Sequence, residues 1–126
     1  MQINKLDHVN IRTTRLDHLV AWYTEVLGLK SGTRPPFPFP GAWLYAGDTA
    51  VVHLVGMDGA ESVGSEVELK LEHFAFTASG AREFEQRLTD RGEEFQKSEV
   101  ATTGTVAYNV WDPDGNHIHV DFPVDE

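Results

Sequence analysis

Hydrophobic and polar positions along this chain change period in a regular way. Val9 and Ile11 alternate with His8, Asn10 and Arg12, the period of two that marks a strand with one buried face. Leu16, Leu19, Val20, Tyr23 and Leu27 then follow helical spacing, and Gly28 stands where a left-handed helix end belongs. Short apolar runs resume afterwards. The pattern predicts strands near residues 3–13, 29–34, 42–47 and 50–56, with the helix after the first of them. The same order then recurs: a strand near 69–77, a helix carrying Ala81, Phe84 and Leu88 and ending at Gly92, and strands near 93–99, 104–111 and 117–122.

This recurrence is visible in the letters themselves. "KLDHVNIRT" (Lys5 to Thr13) matches "KLEHFAFTA" (Lys70 to Ala78), and "GDTAVVHLV" (Gly47 to Val55) matches "PDGNHIHVD" (Pro113 to Asp121). His8 therefore corresponds to His73, Asp7 to Glu72, and His53 to His119, with spacings of 45 and 46 residues within the two copies. The prediction is one α+β domain over residues 1–126, built of two βαβββ modules, 1–58 and 68–126. A Gly-rich, acidic connector spans about 56–66. "RPPFPFPGAW" (Arg34 to Trp43) holds four prolines and cannot be helix or central strand, so its phenylalanines are candidates for an apolar wall or lid.

Composition narrows the partners. A formal charge of −10 with only 10 basic residues, scattered, argues against a nucleic-acid backbone as partner. No apolar run reaches the ~18 residues of a membrane span, and no leader is expected ahead of the first strand. With no cysteine there is no disulfide, thiolate nucleophile or sulfur-ligated metal. The expectation is a cytoplasmic protein whose partner is a small molecule, not nucleic acid or membrane.

The chemistry concentrates in four histidines. His8, His53, His73 and His119 each alternate with strand hydrophobes, so each points away from the face that two helices would cover. A sheet with helices on one side must offer its other face to solvent, a partner or a cavity. If the halves curve together, that face becomes the inside of a cup where four imidazoles meet. Neutral imidazole is the commonest nitrogen ligand for divalent transition metals, and its recurrence at matching positions favours a metal centre over a wet polar face. His18 and His117 lie outside the repeat. His117 corresponds to the apolar Val51, which places it at the rim and outside the ligand set. Asn10, Arg12, Ala75, Thr77 and Asp121 also face inward. Arg12 suits an anionic group, and Trp43, Tyr45, Phe37 and Phe39 suit an apolar or aromatic one.

The paired modules, together with "WYTEVLGL" (Trp22 to Leu29) and "DPDGN" (Asp112 to Asn116), resemble the vicinal oxygen chelate superfamily: glyoxalase I, fosfomycin-resistance proteins, extradiol dioxygenases, methylmalonyl-CoA epimerase and bleomycin-resistance proteins. The resemblance implies the glyoxalase/bleomycin resistance/dihydroxybiphenyl dioxygenase-like fold, cupped mixed sheets with helices outside. It further implies a divalent metal (Zn, Fe, Ni or Mn) on His8, His53, His73 and His119, and a homodimer. In this family the last ligand is usually a glutamate, where this chain has His119. That histidine and Asp121, two residues on, are the catalytic candidates; Asn10, Arg12, Trp43 and Tyr45 are the substrate-binding ones. The resemblance implies a lyase or isomerase acting on an oxygen-chelating organic anion. An iron-dependent ring-cleaving dioxygenase, a non-catalytic binding protein of the bleomycin-resistance type and a closed structural zinc site are the alternatives.

Overall fold

A computed structural model describes residues 1–58 and 71–125. The chain divides into two compact units, Met1–Val63 and Gly64–Glu126. The first contains β1 (Val9–Thr13), α1 (Leu16–Glu25), β2 (Lys30–Gly32), β3 (Gly41–Ala46) and β4 (Thr49–Gly56). Its sheet has the order β1-β4-β3-β2, with β1 parallel to β4 and the other pairs antiparallel. The second contains β5 (Phe74–Thr77), α2 (Ala81–Arg91), β6 (Phe95–Val100), β7 (Thr105–Trp111) and β8 (His117–Pro123), in the matching order β5-β8-β7-β6. The predicted βαβββ modules with mixed four-stranded sheets are present.

Each core has one layer of helix on one face of sheet. In the first unit Leu19, Trp22, Tyr23 and Val26 of α1 and its C-terminal end are buried, as are Leu44 of β3 and Val52 and Leu54 of β4. This stripe is turned relative to the predicted one. Val20 and Leu27 are only half-buried, because starting from Leu19 the i+3, i+4 and i+7 positions are Trp22, Tyr23 and Val26. In the second unit Phe84 of α2 meets Tyr108 and Phe122, ring centroids 5.7 and 5.6 Å apart, beside the buried Leu88, Val110 and Ile118. Gly28 (φ 75°) and Gly92 (φ 68°) adopt the left-handed conformation expected where each helix ends. After α2 the Gly92 amide donates to the Thr89 carbonyl and the Glu93 amide to that of Leu88.

The first strand of each module is shorter than predicted. The ladder of β1 begins at the pair Val9↔Val52, and that of β5 at Phe74↔Ile118. Upstream, Ile3 and Leu6 are 81% and 76% exposed, so these apolar side chains have no burial to hold the segment in the sheet. His8 and His73 consequently sit one residue before their strands. The connector predicted for 56–66 and the strand start at 69–70 fall largely outside the described residues; Gly56 itself closes β4. Among the described residues no helix is long and apolar enough to cross a membrane.

Candidate metal centre

Strand alternation makes the site. In β4, Val52 and Leu54 enter the core, so His53 lies on the opposite face, level with Asn10 of β1 and Trp43 of β3. The His53 ring is held between two others: Trp43 stacks on it at 4.0 Å and 10°, and His8 at 3.9 Å and 11°. A carbonyl only accepts, so the 3.0 Å contact with the Ala50 oxygen puts the proton on Nε2 of His53 and leaves the lone pair on Nδ1. His8 Nδ1 meets Asp7 Oδ2 at 2.6 Å. Burial, then the neighbouring His8, pushes the His53 pKa below the usual histidine value, which favours the neutral, ligating form. The hydrogen bond from His8 in turn lowers the Asp7 carboxyl.

The second unit repeats this and adds to it. Ile118, Val120 and Phe122 of β8 are buried, leaving His117, His119 and Asp121 on the other face. His119 is level with Ala75 and Asn109, and His73 stacks on it at 3.8 Å and 7°. His117 is tilted against both, 5.4 Å from His73 and 4.8 Å from His119, and it stacks on Trp111 at 5.0 Å. One ring nitrogen from each of His73, His117 and His119 lies within 4.8 Å of the others, spacing at which three imidazoles can close on a divalent ion. The carboxylate of Glu72 contacts Nδ1 of both His73 and His117, the latter at 3.2 Å. Its carboxyl is lowered first by the His73 hydrogen bond. Burial, then His73 and His117, lowers His119.

The "DPDGN" turn sets this register. Asp112 Oδ1 accepts from the amides of Asp114 and Asn116, both at 2.9 Å, and Oδ2 accepts from Asn116 Nδ2 at 2.8 Å. The tight connection brings Trp111 opposite His117 and Asn109 opposite His119.

Other predicted site residues divide. Asn10 and Arg12 are exposed on β1, Asn10 level with His53. Tyr45 is committed to structure: its hydroxyl donates to the Thr33 carbonyl at 2.5 Å and its ring lies against Gly32. Phe37 and Phe39 stack at 5.0 Å under the Arg34 guanidinium, and Phe37 is 6.5 Å from Trp43. Asp121 Oδ1 is buried without a hydrogen-bond partner among the described residues. His18 is exposed on α1. Sequence reasoning did not single out Asn109 or Glu72. For Glu72 the signal was the match with Asp7; for Asn109 it needed the β7–β8 register.

Both modules share one strand order and one stacked histidine pair. The chain belongs to the Glyoxalase/Bleomycin resistance protein/Dioxygenase superfamily, matched over residues 5–120. Among solved structures it is similar to a glyoxalase family protein from Bacillus anthracis, with TM-score 0.78, 23% identity and 98% of both chains covered. A glyoxylase/bleomycin resistance protein/dioxygenase domain from Frankia sp. EAN1pec has TM-score 0.80 and 21% identity, covering 97% of this chain and 99% of that one. Lactoylglutathione lyase from Agrobacterium tumefaciens has TM-score 0.71 and 18% identity over 96% and 95% of the respective chains. Identities this low carry the fold alone. No curated protein matches.

Proposed function

We propose that this protein is a metal-dependent lyase or isomerase acting on a small organic anion that presents two adjacent oxygens. One observation carries the reading: the same stacked imidazole pair occurs at the same register in both modules, His8 with His53 and His73 with His119. The donor set fits a divalent ion such as Zn²⁺, Fe²⁺, Ni²⁺ or Mn²⁺, since all four rings offer nitrogen and two are held toward neutrality by burial. When bound, such an ion supplies Lewis-acid stabilisation of negative charge developing on substrate oxygen.

The remaining work falls to the chain. In the second module Asp121, two residues from His119 on the same strand face, accepts a proton from substrate carbon. An imidazole at position 119 in place of a carboxylate leaves the centre with one negative charge fewer, which favours an anionic ligand. In the first module Arg12 binds the anionic end of a ligand and Asn10 donates to its oxygen. Trp43 and Tyr45, two residues apart on β3, offer an aromatic wall. The likeness in fold to the lactoylglutathione lyase of Agrobacterium tumefaciens supports this reading.

The test is hydrogen exchange. Protein loaded separately with each of the four metals is incubated in D₂O with small 2-oxo and 2-hydroxy acids and aldehydes, and deuterium at carbon is followed by NMR. Exchange that requires metal and is lost in Asp121→Asn supports the proposal. Tight binding of the same compounds by metal-free protein, with no exchange under any metal, would overturn it in favour of sequestration.

A further inference from the structure

We propose that the second module holds a divalent transition metal by itself, through His73, His117 and His119, with Asn109 as the residue that positions His117. This deepens the metal reading above by adding a ligand whose first-module counterpart is Val51. It also departs from the expectation that His117 stays outside the ligand set.

Three observations meet here. First, one nitrogen from each of the three rings lies within 4.8 Å of the others, whereas the first module has a pair. Second, the orientation of Asn109 is determined: its Nδ2 donates to the Gln96 carbonyl at 3.1 Å, so its Oδ1 faces His117 Nε2 at 2.9 Å and accepts that proton. Nδ1 of His117, which donates to Glu72, is then the nitrogen left for a metal once that proton is released, the arrangement in which an outer carbonyl holds the other N–H of a ligating histidine. Third, Nδ1 of both His73 and His117 donates to the Glu72 carboxylate, so the two nitrogens converge, and a cation that displaces their protons would have a negative charge beside it. His117 is only 9% exposed and stacked on Trp111, so its ring is already ordered for binding. Three imidazoles leave coordination positions open, as in catalytic rather than closed structural sites.

The experiment titrates chelator-stripped full-length protein with Co²⁺, read by visible absorption and calorimetry, with circular dichroism of every variant as a check on folding. His117→Ala should weaken Co²⁺ by on the order of 100-fold or more, beyond the ~10–100-fold expected for Asn109→Ala as an outer partner. His117→Gln, which keeps a polar side chain of similar reach, should lose as much as the alanine variant, separating ligation from packing. The double variant His8→Ala/His53→Ala should still bind Co²⁺ in the second module, and His18→Ala should match wild type. Wild-type affinity in both His117 variants, or no binding by the double variant, overturns the proposal while leaving metal binding by the stacked pairs standing. Wild-type protein that binds neither Co²⁺ nor Zn²⁺ overturns both.

Discussion

Residues that bond one partner and face another carry the sharpest expectations. Arg12 is exposed on the same strand as Asn10, and its guanidinium has geometry for a carboxylate. Arg12→Ala should weaken an anionic ligand by about 1.5–3 kcal/mol while leaving metal content unchanged. Calorimetry showing equal affinity in the two proteins would make it a surface residue only. His119→Ala should remove most bound metal, measured by elemental analysis after gel filtration; full retention would exclude His119 as a ligand. Four histidines were legible at this scale because a period of two needs only the order of letters. Asn109 was not, because its role depends on which residue of β7 stands opposite β8, and that depends on how the five-residue turn closes.

Elements explain why the repeat could be read so far. The letter match between Lys5–Thr13 and Lys70–Ala78 became the matching pairs Val9↔Val52 and Phe74↔Ile118, parallel strands in equivalent positions. The strands begin later than predicted because a strand needs a ladder and cover as well as apolar residues: Ile3 and Leu6 ahead of β1 are exposed, and so is Leu71 ahead of β5. The β7–β8 turn is the element whose failure should matter most. Asp112 is buried and accepts three hydrogen bonds, so Asp112→Ala leaves several donors unmet at ~1–3 kcal/mol each where they stay dry. Chemical denaturation should show a loss of at least about 2 kcal/mol, with weaker metal binding as the strand register loosens. A loss under about 0.5 kcal/mol would mean that the backbone closes the turn unaided.

At the scale of the whole molecule, proton linkage and assembly are the accessible tests. His53 and His119 have pKa values lowered in the folded state, so around and below the unfolded value of ~6.5 the unfolded chain binds more protons and stability is lost as pH drops. Asp7 and Glu72 act in the same direction further down, their contribution being present above the unfolded carboxylate value and lost as pH drops through the folded one. Metal-free protein should therefore melt at lower temperature at pH 5.5 than at pH 7.5, and loaded protein should release its metal below about pH 6. A higher melting temperature at pH 5.5 would contradict the linkage. The outer edges of β1 and β5 carry no strand partner among the described residues, which suits association of two copies. Sedimentation should give about twice the 14.1 kDa chain mass; the monomer mass at micromolar concentration would exclude a homodimer.

The stack of Trp43 on His53 has an optical consequence. Of the chain's three tryptophans, Trp22 on α1 is enclosed in the core and Trp111 stacks on His117 at 5.0 Å, whereas Trp43 lies 4.0 Å from the His53 imidazole, whose pKa is lowered. An excited indole passes an electron readily to a protonated imidazole and poorly to a neutral one. The emission of Trp43 should therefore be bright at neutral pH and dim as His53 takes up its proton below the usual histidine range. A Trp43→Phe variant should lack that part of the fluorescence titration, so light from one ring reports the charge of the other.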